Sequence, residues 1–251
     1  EGSSPDSALP AAAASERPED DARAQFGALL EQMQGGWRQR RKALQEVARL
    51  GPQAISLAED ILELAVGDPD FDVKLAARRA LVKLGPEVAG IATVYIVEVL
   101  GENDHECEGA ARMIFAEEAA RTLRELATDN GVSEQIAQVA VSLIPMANWR
   151  TGEAIGKVLR DLCEAHRCWG VARLIEFLED PSDKVREAAV SALGCLAFNA
   201  PPEVKPALAA AKDKDASFFV REAAMKGYQR VDQELEMFTR CKIVHSTPGR
   251  I

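Results

Sequence analysis

The sequence predicts an all-α solenoid of about six antiparallel helix pairs. Three observations predict it: an ungapped internal repeat, a Gly-Pro punctuation at nearly the same spacing, and a composition made for helices. Aromatic residues are only 5% of the 251 residues, while Ala, Leu, Val and Glu dominate. That balance suits helices with small residues at their contacts and disfavours β-sandwiches, which draw on aromatic and β-branched side chains.

The repeat is carried by three segments, 68–77, 180–189 and 215–224. Each reads Asp, four variable residues, Val, a cation, any residue, Ala, Ala, and then a large residue four positions on: Leu81, Leu193 or Tyr228. Asp beside Pro or a small residue makes a turn and offers a carboxylate to the free N–H groups of a helix start. Val, the second Ala and the large residue fall at i, i+4 and i+8, one helical stripe. Val185 and Val220 lie 35 residues apart, and Val73 and Val185 lie 112 apart, so two degenerate units fill the gap. Leu50-Gly51-Pro52 and Leu84-Gly85-Pro86, 34 residues apart, each give a Gly helix stop followed by a Pro helix start.

This Asp-Pro, Val-Arg/Lys, Ala-Ala, Leu pattern resembles the HEAT family, especially the short HEAT-like repeats also found in phycobilisome lyases. The resemblance spans residues 23–240, with three clear units and the others placed by spacing. It implies that the Asp and the cation after Val help link adjacent repeats. Asp68 with Lys74, Asp180 with Arg186 and Asp215 with Arg221 are then structural, as are Val73, Val185 and Val220.

Helix pairs are expected at 23–50, 52–84, 86–128, 132–164, 167–197 and 201–230. Residues 1–22, rich in Ala, Ser and Pro and carrying Asp6, Glu16, Glu19, Asp20 and Asp21, read as a disordered tail, too acidic for an organelle transit peptide. Residues 231–251 break the period and read as a terminal capping helix, with Leu235 and Phe238 covering the last apolar face, followed by a tail at 241–251. The third pair departs from the pattern. Gly101-Glu102-Asn103-Asp104-His105-Glu106-Cys107-Glu108-Gly109 is a polar insertion, either a neutral length change or a partner-contacting loop on one edge.

The net charge of −10 works against general binding to a phosphate backbone. One basic run, Arg38, Arg40, Arg41 and Lys42 beside Trp37, reads as a solvated face with an aromatic anchor or as a contact patch. Trp37, Trp149 and Trp169 lie near helix starts, where burial between repeats competes with a role as interface anchors. Five cysteines in a long chain do not make a disulfide framework and favour a reducing intracellular compartment; an organelle interior stays open because the chain starts without Met. The longest apolar stretch, 91–97, is far short of the ~20 residues that span a bilayer.

Chemistry is thinly represented. Cys163, His166 and Cys168 are metal-ligand types close together, but no second ligand pair follows, so Cys163 reads as a small apolar residue at a helix end and Cys195 as core. Gly35-Gly36 lacks the spacing of a phosphate loop, and Asp68–Asp72 lacks the glycine and terminal Glu of a calcium loop. Glu117-Glu118 and Glu234 with Glu236 read as solvated faces. No catalytic residue, cofactor or metal is expected.

The function read from these features is a non-catalytic protein-binding scaffold or accessory subunit of a larger assembly, using acidic patches against basic partners plus aromatic anchors. Candidate contact residues are Trp37, Arg38 and Arg41 with Asp104, His105, Glu106 and Glu108 of the insertion. A bilin lyase-like or chaperone role is the alternative that the resemblance suggests. Nucleic-acid binding needs a basic face that the overall charge disfavours.

Overall fold

A computed structural model of the chain describes residues 18–102, 110–128, 132–196 and 200–246, with side chains over 24–101, 117–128, 132–196 and 200–233. Within them run helices α1 (Pro18–Met33), α2 (Trp37–Leu50), α3 (Ala58–Gly67), α4 (Phe71–Leu84), α5 (Val88–Glu102) and α6 (Ala110–Ala127). They are followed by α7 (Val132–Ser142), α8 (Trp149–Asp161), α9 (Glu164–Glu176), α10 (Asp183–Gly194), α11 (Val204–Lys214) and α12 (Phe218–Ser246). Among the described residues there is no strand. Consecutive helices pair, and each pair stacks on the next, with α2 on α4, α8 on α10 and α10 on α12 in one layer and α3, α5, α7 and α9 in the other. The chain is an α-solenoid of helix pairs.

The stripe expected from the repeat forms the core. Val73, Ala77 and Leu81 are fully buried, as are Ala189, Leu193, Val220 and Ala224; Val185 is nearly so, and Tyr228 packs half-buried against them. Gly51 and Gly85 end α2 and α4 with φ of +58° and +100°, a region that side chains other than Gly adopt at a cost. Each is followed by its Pro, so the punctuation marks real helix ends.

The repeat aspartate works differently from a simple helix cap. Asp68, Asp180 and Asp215 each accept the backbone N–H two residues on, at 2.8 Å from Asp70, Ser182 and Ser217. This shapes the turn before the helix; the cap of α4 is Asp70, which accepts from the N–H groups of Asp72 and Val73. At Asp68 and Asp215 both carboxylate oxygens also meet an arginine of the preceding repeat. Arg186 donates Nε and Nη2 to Asp215 at 2.8 and 3.0 Å, while its Nη1 donates to the Asp180 and Pro181 carbonyls of its own turn. Arg221 repeats that turn contact on Asp215 and Ala216. At these steps the carboxylate link joins the cation of one repeat to the Asp of the next.

The same geometry exposes a unit that the sequence pattern concealed. Arg40 donates to both oxygens of Asp68, at 2.6 and 3.1 Å, and to the Gly35 carbonyl. Arg40, Ala43 and Val47 thus occupy the cation, second-Ala and large-residue places of the first repeat, with Ala43 and Val47 fully buried. Gln39 stands where the other units have Val, which hid the match.

The even-numbered layer closes on small residues. A Cβ added at Gly152 would lie 2.9 Å from Ala188 Cα, one at Gly156 2.8 Å from Cys195 Cβ, and one at Gly194 2.7 Å from Gly227 Cα. Helices α8, α10 and α12 are consequently in backbone contact, which only glycine permits at those crossings.

The third pair is the irregular one. Helix α5, which contains the apolar stretch 91–97, packs against α3, α6, α7 and also α8. A helix surrounded in this way needs apolar residues on nearly every side. On its flank the buried Arg78 of α4 pairs with Glu118 at 2.7 Å and Glu125 at 3.1 Å on α6. Glu117 is solvated as expected, but Glu118 is not: burial of its arginine partner draws it into the interior. Helix α1 begins at Pro18 and α12 runs unbroken to Ser246, so helix extends past both 23 and 240. The side chains of Leu235 and Phe238, and the segments 1–17 and 247–251, lie outside the described residues.

Candidate protein-binding edge

Four of the even-numbered helices open on an aromatic residue: Trp37 starts α2, Phe71 starts α4, Trp149 starts α8 and Phe218 starts α12, followed by Phe219. All are exposed, at 40, 58, 43, 62 and 62%. Trp169, within α9, is also exposed, so the expectation of burial between repeats is corrected for all three tryptophans. The reason is positional. The repeat stripe begins two residues after the first helical residue, as with Phe71 and Val73 or Phe218 and Val220, so the first residue lies off the stripe that faces the neighbouring helices.

These helix starts share one edge of the solenoid. Arg41 of α2 reaches Asp72 in the first turn of α4 at 3.5 Å, and the Ser217 hydroxyl before α12 donates to Asp183 at the start of α10 at 3.4 Å. At the irregular third unit, the end of α5 comes to the same place: a Cβ on Gly101 would be 3.0 Å from Thr151 Oγ1 in the first turn of α8. The end of α5 therefore lies against the first turn of α8, the helix that Trp149 opens. Asp104, His105, Cys107, Glu106 and Glu108 themselves lie outside the described residues.

Two starts carry the same dipeptide. Trp37-Arg38 and Trp149-Arg150 each stack the guanidinium on the indole, at 4.9 and 5.0 Å from the ring centre, and Arg41 adds a second cation over Trp37 at 5.6 Å. Neither first turn contains an acidic residue. A cation at a helix N-terminus opposes the helix dipole by about 0.3–1 kcal/mol, so helix stability does not account for these arginines. Asn148 supplies the α8 cap, accepting the Thr151 N–H at 2.9 Å, and fixes where Trp149 emerges.

The candidate chemical cluster resolves otherwise. Cys163 is exposed at the N-cap of α9, on the turn out of α8 and off any packed stripe, which corrects its reading as a small apolar residue at a helix end. Its Sγ lies 3.2 Å from His166 Nδ1, which also meets the Ser133 hydroxyl at 2.9 Å. Cys168 is exposed and Cys195 is buried. Among the described residues, no three or more of His, Cys, Asp and Glu are placed to hold a metal ion, and no helix is long and apolar enough to cross a membrane.

The fold and this edge define a repeat solenoid with an exposed rim. The family model of the HEAT repeat matches residues 171–200, which take in the second half of α9 and all of α10. The chain carries a HEAT repeat there, within a stack of similar helix pairs. Similar solved structures include one reported as "Crescerin uses a TOG domain array to regulate microtubules in the primary cilium", at 16% identity and a TM-score of 0.44, covering 83% of this chain and 89% of that one. An engineered protein is similar at 16% identity and a TM-score of 0.30, covering 86% of this chain and 61% of that one. The archaeal HEAT-like repeats protein from Thermococcus onnurineus NA1 is similar at 13% identity and a TM-score of 0.25, covering 85% and 98%. No curated protein matches the sequence.

Proposed function

We propose that this chain is a protein-binding module whose contact surface is the edge formed by the starts of α2, α4, α8 and α12, and that its partner presents an acidic surface there. The observation that carries the reading is the row of exposed aromatic first residues, two of them bearing stacked arginines. Aromatic and Arg side chains are the usual energetic anchors of protein interfaces. Turn edges of a solenoid lie in register from repeat to repeat, so weak contacts at each repeat add along an extended partner. The charge sense is the opposite of the one expected from composition. The chain as a whole is acidic, but Arg38, Arg41 and Arg150 place cations at the rim. Membership of a larger assembly follows as part of the same proposal. A bilin ligand is favoured by none of these contacts.

Site-specific photocrosslinking tests it. A benzophenone amino acid placed at Trp37, Phe71, Trp149 or Phe218 should capture the same protein from native extract, and that protein should be acidic at the captured surface. The same probe on the odd-numbered layer, at Glu98 or Glu176, should capture nothing in common. Capture from the odd-numbered layer alone would sink the reading.

A further inference from the structure

A second surface lies behind the edge, on the even-numbered layer, where α8, α10 and α12 enclose a cleft of about 270 Å³. Its floor is bare because the helices touch through glycine: Gly194 and Gly227 meet backbone to backbone, flanked by Ser191 and Ala223, so no long side chain fills the space. Trp149 and Phe219 stand at the mouth with exposed rings. Three carboxylates, Glu153, Glu187 and Glu222, line it.

Two of these acids already have cations. Arg230 donates to Glu153 at 3.3 Å and to Cys195 Sγ at 2.9 Å, and Lys226 pairs with Glu222 at 2.7 Å. Glu187 has no ion-pair partner at contact distance among the described residues. Burial pushes its carboxyl up, and the charges of Asp183 and Glu222 push it the same way, only partly offset by Lys226. A further cation entering the cleft would relieve that crowding. The cleft has already accepted one guanidinium, that of Arg230 against Glu153.

We propose that this cleft is a subsite for an arginine side chain of a partner protein. A guanidinium is planar, weakly hydrated and able to stack on an aromatic face while meeting a carboxylate, which matches rings at the mouth and acids behind them better than a compact ammonium does. The site adjoins the edge, sharing Trp149 and Phe219 with it, and is opposite in charge. A partner engaging both would place acidic residues against the rim and an arginine into the layer behind.

The test uses the full chain, isotopically labelled, and the capped peptide Gly-Gly-Arg-Gly-Gly, with lysine and citrulline in place of arginine as comparisons. Titration followed by NMR should move the Trp149 indole and the Gly194 and Gly227 amides together and saturably. Glu187→Gln, which keeps the side-chain shape, should weaken binding about fivefold, in line with one partly screened ion pair. Glu98→Gln, an exposed acid elsewhere, should leave it within about twofold. The citrulline peptide should bind weakest. Equal binding by the arginine and citrulline peptides, equal or tighter binding by the lysine peptide, an unaffected Glu187→Gln, or shifts spread evenly over the acidic surface would each overturn the proposal. Trp37→Ala, which damages the edge alone, should leave this titration unchanged, so the two surfaces fail separately.

Discussion

The last three repeats and the middle of the chain solve the same stacking problem by different means. From α8 to α12 the helices approach until backbones touch, through Gly152, Gly156, Gly194 and Gly227, and Arg186 with Asp215 ties one turn to the next. Around α5 and α6 the means are different: α5 is packed on several sides by apolar contacts, and the buried Arg78 pairs with Glu118 and Glu125 across to α6. Small residues permit a regular repeat because each crossing then has the same geometry. Where the pattern is interrupted by an insertion, an apolar helix packed on several sides and a buried ion pair take the place of those crossings.

Replacing the contact residues tests that distinction. Gly156→Ala should be the most damaging change, since its Cβ meets backbone atoms and the Cys195 side chain, which cannot move aside as a flexible side chain can; the cost should exceed the about 3 kcal/mol upper end of ordinary overpacking, read as a lower midpoint in urea. If Gly156→Ala unfolds at the parent midpoint, the backbone contact is not what sets the spacing. In the middle region Arg78→Ala leaves Glu118 without its buried partner and should cost about 3 kcal/mol. Arg78→Met with Glu118→Leu should recover much of that loss, because an apolar pair fits an apolar surround without desolvating charge.

Arg186→Ala should cost less, about 2 kcal/mol, because the pair is only partly enclosed. Its pH dependence gives the sign. The Arg186 hydrogen bond holds the Asp215 carboxyl below its usual value, against burial and with help from the Ser217 N–H. A carboxylate with a lowered folded value contributes stability above the ordinary carboxylate range and loses it as pH falls through that lowered value. The variant should therefore differ from the parent at neutral pH and converge with it in acid; a gap that widens in acid would assign the link to something else.

Trp37→Ala is expected to have the smallest effect on folding, under about 1 kcal/mol, because the ring is already 40% exposed. Its effect should appear in partner capture instead. A large loss of stability would mean that the ring is structural after all.

Much of this was legible in the residue order, and the exceptions are instructive. The stripe of Val73, Ala77 and Leu81, and its later copies, is a periodicity of 3.6, which is local and survives any arrangement of the helices. The stops at Gly51 and Gly85 are likewise local, since positive φ is a property of one residue. The first repeat was not legible, because Gln39 replaces Val while Arg40, Ala43 and Val47 keep their places, and an ion pair to Asp68 28 positions away leaves no trace in local spacing. The exposure of Trp37 and Trp149 was open for a related reason: composition says that such rings tend to be buried, but only their place two residues before the packed stripe says that these are not.

By itself, then, the sequence determined the helices, their pairing and the face each turns inward, because those follow from hydrogen bonding and apolar period within a few turns. Only the tertiary structure decided which helix starts lie side by side, that Arg40 and Arg186 reach the aspartate of the following repeat, and that aromatic rings gather on one rim while carboxylates gather behind it. Those depend on how closely one helix can approach another. At α8, α10 and α12 that distance is set by the absence of a Cβ at a few glycines.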